Sequence, residues 1–389
     1  SMTFQPYDYI SPSIKAIPPS GIRKFFDLCA GSKDIISLGV GEPDFVSPWT
    51  IREACVYSLG KGYTMYTSNY GMPELRKEIV RYLYERCGVE YNENTDIIVT
   101  VGASEAIDMA LRTLLTPGDE VLIPEPCYVS YQACTLMSGG VPVSVPLSAE
   151  NKFKLTPEDL EKHITPKSKV LILSFPNNPT GAIMDREELT ALANVAIKHD
   201  LIVISDEIYC ELTYEKEPIS VASLPGMKER TILVNGVSKS FAMTGWRIGY
   251  VACAPEFISA MVKIHQYTIL CAPIMGQMAA IEAFQNGLPE VEKMRTEYNY
   301  RRRYIVEKAA EIGLDMVTPE GAFYVFPSIK KFGMSSEEFA GRLLQEKKVA
   351  VVPGNAFGAC GEGFIRCSYA TSFQQIIEAL KRIDAFVNG

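Results

Sequence analysis

Residues 235–250 read NGVSKSFAMTGWRIGY and place two cationic side chains in an apolar setting. Lys239 follows the end of a predicted strand, among small and apolar residues. Partial removal from water favours the neutral amine of a lysine, which is the form that attacks an aldehyde. Eight residues later, Arg247 offers a planar, permanently charged fork that suits a phosphate group. The alternative, two ordinary surface side chains, fits so apolar a segment poorly.

On both sides of this stretch, short β-branched runs alternate with longer helical patterns. The predicted strands cover residues 96–101, 120–123, 170–175, 201–205 and 231–235, and predicted helices cover residues 104–115 and 186–199. Strands that alternate with helices are typical of a mainly parallel sheet with helices on both faces. The sequence therefore predicts an α/β fold.

The pattern changes after about residue 285. A charged helical stretch at residues 288–312 precedes predicted strands at 322–326, 349–352 and 364–369 and helices at 337–347 and 372–387. This layout predicts a smaller α+β domain over residues 286–389, beside a large domain over residues 46–285. Residues 1–45 are rich in proline and polar residues, so we expect an extended segment that joins the small domain.

Composition argues against several classes of protein. The net charge of −8 and the scattered lysines and arginines do not favour nucleic acid or a membrane surface as a partner. No apolar run has the length of a membrane span, and residues 1–6 lack the features of an export signal. The ten cysteines form no Cys-x-x-Cys pair, and the three histidines have no zinc spacing. We expect a cytoplasmic protein with reduced cysteines and no metal.

Further polar residues follow predicted strands, where parallel sheets bind their ligands. Residues 99–106 turn from a strand into a helix, and the free amides of Gly102, Ala103 and Ser104 suit a phosphate. Taken alone, however, this turn is better explained by Ser104 as an ordinary helix N-cap.

Two more such segments are residues 174–181 and 203–209. The first contains Asn178, whose amide either faces a ligand or merely shapes a turn. The second ends a very apolar strand with Asp206 and Glu207, and a buried carboxylate needs a partner such as a cationic ring nitrogen. The alternative for these acids is an N-cap of the next helix.

Together with flanking motifs, these segments resemble the class I/II aminotransferases, which are fold-type-I enzymes of pyridoxal phosphate. The flanking motifs are SLGVGEPDF (37–45), Tyr66, GMPELR (71–76), GAFY (321–324), VPGNAF (352–357) and FIRCSYA (364–370). Each is weak alone, but their occurrence in the family order leaves little room for chance. The stretches IPPSGIRKF (17–25) and KIHQY (263–267) resemble bacterial aromatic and N-acetyl-diaminopimelate aminotransferases.

The resemblance implies roles around the cofactor ring. Lys239 would hold pyridoxal phosphate as a Schiff base and move the proton between the substrate Cα and the cofactor. Asp206 would pair with the pyridine nitrogen and keep it protonated. Tyr209 and Asn178 would bond the ring hydroxyl oxygen, and Tyr128 would stack on the ring.

The resemblance also implies a phosphate site, a substrate site and a homodimer with shared active sites. The phosphate ligands would be Gly102, Ala103, Ser104 and Arg247, with Tyr66 reaching in from a partner subunit. Arg366 would bind the substrate α-carboxylate as a bidentate pair, helped by the Gly41 backbone and bordered by Asn178.

One position departs from the commoner family pattern. Many members have a serine three residues before the lysine, where this chain has Gly236. Some members share the Asn-Gly version, so the departure puts the phosphate ligands in doubt and not the activity. Ser238 is the candidate to compensate.

The activity implied is transamination by a ping-pong cycle, in which an L-amino acid gives its amine to a 2-oxo acid. A C–S β-lyase on the same fold is an alternative, although its sequences usually differ around the lysine. A ligand sensor fused to a DNA-binding module is a second alternative. No helix-turn-helix pattern or basic arm precedes Ser37 to support it.

We expect an aromatic or other bulky donor, with 2-oxoglutarate as the acceptor. Aspartate specialists of a related subgroup use a second arginine for the distal carboxylate, and here Arg23 is the nearest unassigned candidate. Apolar residues of the same stretch would form a lid over a large side chain: Ile14, Ile17, Pro18 and Ile22. The alternative donor is N-acetyl-diaminopimelate, whose polar chain would need partners such as His265, Gln266 or Arg23.

Overall fold

A computed structural model of the chain describes residues 3–22, 27, 29 and 32–389. Its strands are β1 (Ile36–Ser37), β2 (Ile97–Thr100), β3 (Glu120–Glu125), β4 (Val141–Pro146), β5 (Ser168–Leu173), β6 (Ile202–Asp206), β7 (Thr231–Gly236), β8 (Gly249–Ala252), β9 (Tyr324–Val325), β10 (Val349–Ala350), β11 (Val352–Pro353) and β12 (Ile365–Ser368). Its α-helices span Pro12–Lys15, Trp49–Gly60, Pro73–Cys87, Gly102–Leu114, Ser130–Met137, Pro157–Glu161, Arg186–Lys198, Pro255–Thr268, Ile274–Asn286, Leu288–Ile312, Ser336–Lys347 and Phe373–Asn388. Within the described ranges, no helix has both the length and the apolar character needed to cross a membrane.

Seven strands form the central sheet, in the order β2-β8-β7-β6-β5-β3-β4. Strand β8 runs antiparallel to its neighbours β2 and β7, while the pairs from β7 through β4 are parallel. The mainly parallel α/β sheet predicted from the sequence is therefore confirmed. The carboxyl ends of its parallel strands meet at one edge, which is where such sheets bind ligands.

Alternate residues of the central strands pack on opposite faces of the sheet. In β5, Val170 belongs to the apolar cluster that contains the helix Gly102–Leu114. Its neighbour Leu171 belongs to the cluster that contains the helix Arg186–Lys198. Both side chains are fully buried. Burial on both faces explains why this strand is a continuous apolar run with no polar alternation.

The C-terminal part of the chain forms smaller sheets and a separate apolar cluster. Strands β11, β12 and β9 make an antiparallel sheet, and β1 pairs in parallel with β10. The cluster around them also includes Tyr209 and Leu212, which follow β6 of the central sheet. The two parts of the chain are thus packed together directly behind the ends of the central strands.

Two local predictions were wrong. The N-terminal segment is not extended throughout, because it contains a 3-10 helix at Pro6–Tyr9 and a helical turn at Pro12–Lys15. Proline near the first position of each has the backbone angle that starts a helix. The single strand predicted at residues 349–352 is divided at Val351 into β10 and β11, which pair in different sheets. Strand β4 was not predicted.

Gly249 allows β8 to pass directly against the start of the helix Gly102–Leu114. A Cβ atom at residue 249 would lie 2.5 Å from the carbonyl carbon of Gly102 and 2.6 Å from the amide nitrogen of Ala103. Because both are backbone atoms, the strand or the helix would have to move.

The substitution Gly249→Ala should therefore lower the free energy of unfolding by roughly 1–3 kcal/mol, the usual cost of overpacking. Denaturant unfolding measures this loss. Gly245→Ala is the matched control, because nothing lies within 4 Å of a Cβ atom there. Equal losses in the two variants would contradict the close approach.

Candidate active site

A cavity of about 950 Å³ opens where β5, β6 and β7 end. Most of the predicted site residues line it: Gly41, Ala103, Ser104, Tyr128, Asn178, Asp206, Tyr209, Ser238, Lys239, Arg247 and Arg366. Gly102 lies beside the cavity wall, close to the Arg247 side chain. Tyr66 is not part of the lining, and it is 82% exposed. Seven separate segments of sequence thus converge on one space.

Lys239 lies in the loop after β7, with its amine in this cavity. The Nζ atom donates a hydrogen bond to the carbonyl oxygen of Gly41 at 2.5 Å and lies 5.8 Å from the Tyr209 ring centre. Burial, and then the positive charge of Arg366, lower the pKa of Lys239 to about 8. More of the amine is therefore neutral near pH 7 than in an exposed lysine.

Asp206 ends β6 as a buried carboxylate. The Tyr131 hydroxyl donates to its Oδ2 at 2.5 Å, and the Ile208 amide donates to its Oδ1 at 3.3 Å. Burial raises the pKa of Asp206, opposed by these hydrogen bonds and by the charge of Lys239. A cationic ligand group beside this carboxylate would be stabilised by it.

A phosphate-sized cradle is formed by the start of the helix Gly102–Leu114 and the side chain of Arg247. Gly102 has a φ of +73°, and a Cβ atom there would lie 2.5 Å from Nη2 of Arg247. The first amides of a helix have no partner within the helix and attract anions. Arg247 itself has a φ of 57°, so its backbone is held in the left-handed region. This donor set fits a phosphate group.

Gly236 is explained by the packing of β7 against β8. A Cβ atom at residue 236 would lie 2.8 Å from the carbonyl oxygen of Ile248 and 2.9 Å from Cα of Gly249. A serine at this position would therefore require a shift of the backbone. Ser238, two residues further on, is buried and lines the cavity.

Arg366, in β12, is a buried cation that lines the cavity. Its Nη1 donates to Oδ1 of Asn178 and its Nη2 to the carbonyl oxygen of Gly39, each at 2.8 Å. The guanidinium stacks 4.3 Å from the Tyr324 ring centre. Both of these acceptors are uncharged oxygens, and its buried Nε has no hydrogen-bond partner among the described residues. A ligand carboxylate would relieve the cost of this buried charge.

Two tyrosines at this site were not singled out from the sequence. Tyr131 bonds Asp206, and the Tyr324 hydroxyl lies 2.9 Å from that of Tyr209. Tyr131 lies three residues after Tyr128, near the start of a helix. This spacing was the one feature of the sequence that could have placed Tyr131 beside Tyr128. Tyr324 stood within the GAFY motif, but its contact with Tyr209 depends on the packing of two distant segments.

Within residues 3–22, the N-terminal stretch reaches the cavity only at its last described residues. Ser20 and Ile22 line the cavity. Ile17 and Pro18 instead line a neighbouring cavity of about 610 Å³, and Ile14 is half exposed. Arg23 lies outside the described residues. Of the four apolar residues expected to form a lid, Ile22 is therefore the one that lines this cavity.

Comparison with known proteins identifies the family. The class I and II aminotransferase profile matches residues 33–383. The protein YugH of Bacillus subtilis is 54% identical over 380 residues, which cover 98% of each chain. An aspartate aminotransferase of Pyrococcus abyssi is 47% identical over 96% of this chain and 97% of its own.

A solved structure agrees. The crystal structure of an aromatic aminotransferase from Pyrococcus horikoshii OT3 superposes with a TM-score of 0.90 at 44% identity, covering 94% of this chain and 98% of its own. Both the fold and the sequence over nearly its whole length therefore support the same assignment. The chain belongs to the class I and II aminotransferases, and it is a transaminase.

Proposed function

We propose that this transaminase uses pyridoxal phosphate to move the amino group of an aromatic or other bulky L-amino acid to 2-oxoglutarate. The family is generally dependent on this cofactor. The observation that carries the proposal is one cavity shared by a lysine amine with a lowered pKa and a buried arginine whose Nε has no hydrogen-bond partner among the described residues. The first suits an aldehyde and the second suits a carboxylate.

The donor set of the cavity fits the cofactor. The residues that would hold it are Gly102, Ala103, Ser104, Arg247 and Ser238 around the phosphate, Asp206 at the ring nitrogen, Tyr209 and Asn178 at the ring hydroxyl and Tyr128 at the ring face. When bound, pyridoxal phosphate supplies an aldehyde that accepts amines and a ring that withdraws electrons.

The chain's own groups would then act on the substrate. Arg366 would bind the α-carboxylate and so orient the Cα–H bond toward Lys239. As a general base, the Lys239 Nζ would take the proton from the substrate Cα. As a general acid, it would then deliver that proton to the cofactor. Tyr131 would hold the Asp206 carboxylate in place through its hydroxyl, and burial of the site would exclude water.

The donor assignment is supported by the apolar part of the lining. Ile22, Val40, Ile107 and Ile208 face the cavity together with Tyr128. The arginines of the described lining, 247 and 366, already have roles, so a distal carboxylate finds no further arginine there. The names of the relatives do not decide between donors, because one is called an aspartate and another an aromatic aminotransferase.

The alternative donor, N-acetyl-diaminopimelate, finds less support. His265 is fully buried and bonded to Glu105, and Gln266 is exposed on the helix Pro255–Thr268. Neither residue lines the cavity. The third candidate partner for the long polar chain of this donor, Arg23, lies outside the described residues.

We further propose a cytoplasmic homodimer in which Tyr66 completes the partner's phosphate site. Tyr66, Met65 and Tyr267 are large apolar side chains that are 82%, 73% and 84% exposed. A group of such residues is typical of a surface that another protein covers. The ten free cysteines suit a reducing compartment.

Replacement of Lys239 tests the cofactor proposal. Wild-type protein incubated with pyridoxal phosphate and then borohydride should carry the cofactor on the peptide that contains Lys239, seen by mass spectrometry. Lys239→Ala should lose this label, and its half-reaction with an amino donor should slow by at least ~100-fold, the scale of general acid–base catalysis. Lys263→Ala, at an exposed lysine, is the control. Normal turnover by Lys239→Ala would refute the assignment.

Replacement of Arg366 tests carboxylate recognition. Arg366→Ala should lower kcat/KM by at least ~10-fold, because a charge-assisted hydrogen bond contributes about 1.5–3 kcal/mol. The loss should be similar for every donor, since all donors share the α-carboxylate. Arg366→Lys should keep part of the activity, and Arg342→Ala, at a surface ion pair, should keep all of it. A loss confined to one donor would mean that Arg366 recognises side chains.

A donor screen with 2-oxoglutarate and pyruvate tests the substrate. Phenylalanine and tyrosine should have higher kcat/KM values than aspartate and N-acetyl-diaminopimelate. Ile22→Ala should reduce the phenylalanine value more than the aspartate value, because burying an apolar side chain contributes ~1.5–3 kcal/mol. Ile14→Ala, at a half-exposed position of the same stretch, is the matched control. A good acyl-diaminopimelate rate with poor aromatic rates would transfer the assignment to that donor.

A further inference from the structure

A buried histidine pairs with a glutamate directly behind the phosphate cradle. His265 lies in the last turn of the helix Pro255–Thr268 and is 0% exposed. Its Nδ1 donates to Oε2 of Glu105 at 2.6 Å. Its Nε2 is buried and has no partner in the described part of the chain. The imidazole therefore makes a single polar contact, and that contact is with Glu105.

Glu105 connects this histidine to the cradle. It lies in the first turn of the helix Gly102–Leu114, and its Oε1 accepts a hydrogen bond from the Val101 amide at 2.7 Å. Val101 immediately precedes Gly102, whose φ of +73° sets the direction of the following amides. The Glu105 carboxylate thus bonds His265 through one oxygen and, through the other, the backbone just before the phosphate cradle.

Other contacts hold the same backbone from its remaining sides. The Thr100 hydroxyl donates to the Gly102 carbonyl oxygen at 2.7 Å, and Gly249 abuts Gly102 and Ala103 from β8. The Glu105 carboxylate is the contact that acts on the amide just before the turn. Its second oxygen, Oε2, is bonded by His265.

We infer that His265 is a positioning residue that holds Glu105, and through it the Val101–Ser104 backbone, in the geometry that receives the cofactor phosphate. This inference rests on the proposed use of pyridoxal phosphate. It assigns His265 no contact with the cofactor or the substrate. It explains why a polar side chain with an unpartnered nitrogen is buried in an otherwise apolar contact between two helices.

The backbone of His265 has a separate task. Its carbonyl oxygen accepts hydrogen bonds from the amides of Ile269 and Leu270 at 3.0 and 2.9 Å, and the Leu270 carbonyl accepts one from the Asn69 side chain at 2.7 Å. These bonds hold the loop that follows Tyr66. Because they do not involve the imidazole, a side-chain substitution leaves them in place and isolates the effect on Glu105.

The test compares the affinities of the apoprotein for pyridoxal phosphate and for pyridoxal, which lacks the phosphate. Both dissociation constants are measured by absorbance titration. His265→Ala should weaken pyridoxal phosphate binding by roughly 10-fold, the scale of one lost charge-assisted hydrogen bond, and leave pyridoxal binding unchanged. His265→Asn should restore near wild-type values, because its amide nitrogen can take the place of Nδ1. Gln266→Ala, at the exposed neighbour, is the control.

A double substitution locates the effect. Glu105→Ala should cause a similar loss, and Glu105→Ala with His265→Ala should cause no greater loss than either change alone. If His265→Ala does not fold, the Glu105→Ala variant provides the same comparison of ligands. Unchanged pyridoxal phosphate affinity, or equal losses for both ligands, would overturn the inference while leaving the proposed function standing. A wild-type protein that binds no pyridoxal phosphate would refute both.

Discussion

Arg366, Lys239 and Asp206 are charged groups withdrawn from water around one cavity, and each has a hydrogen-bond partner in a distant segment of the chain. Arg366 uses the carbonyl of Gly39 and the amide of Asn178, Lys239 the carbonyl of Gly41, and Asp206 the hydroxyl of Tyr131. An unpartnered buried charge would cost several kcal/mol. The apolar clusters on both faces of the sheet supply the stability that makes this arrangement possible.

The central sheet was largely predictable because its strands are buried on both faces. A run such as β5 has few polar residues, and the helices between the strands carry clear apolar faces. The strands that were predicted wrongly or missed are those whose bounds depend on pairing with distant segments and not on their own sequence. Val349 to Pro353 is uniformly strand-like, yet partners on two different sheets divide it. Strand β4 contains two prolines and is covered on one side only, so its sequence gives little signal.

The convergence of residues on the cavity was predictable where a motif follows the end of a strand, as at Asp206 and Lys239. The contacts that other side chains make around the site were not. Tyr131 and His265 each contact a carboxylate far away in sequence, that of Asp206 and that of Glu105. Nothing in the local pattern separates them from ordinary core side chains. Gly236 looked like a missing phosphate ligand, whereas the close approach of two strands accounts for it.

The position of the N-terminal stretch has an evolutionary consequence. Ile22 lines the cavity but belongs to a segment whose described residues, from 3 to 21, are nearly all exposed. Substitutions at exposed positions usually change stability by less than about 0.5 kcal/mol. Under the proposed contact of Ile22 with the donor side chain, mutations in this stretch would alter which amino acid is accepted without disturbing the buried side chains of Arg366 and Lys239. Donor preference is free to drift among descendants of one ancestor while the chemistry is inherited intact.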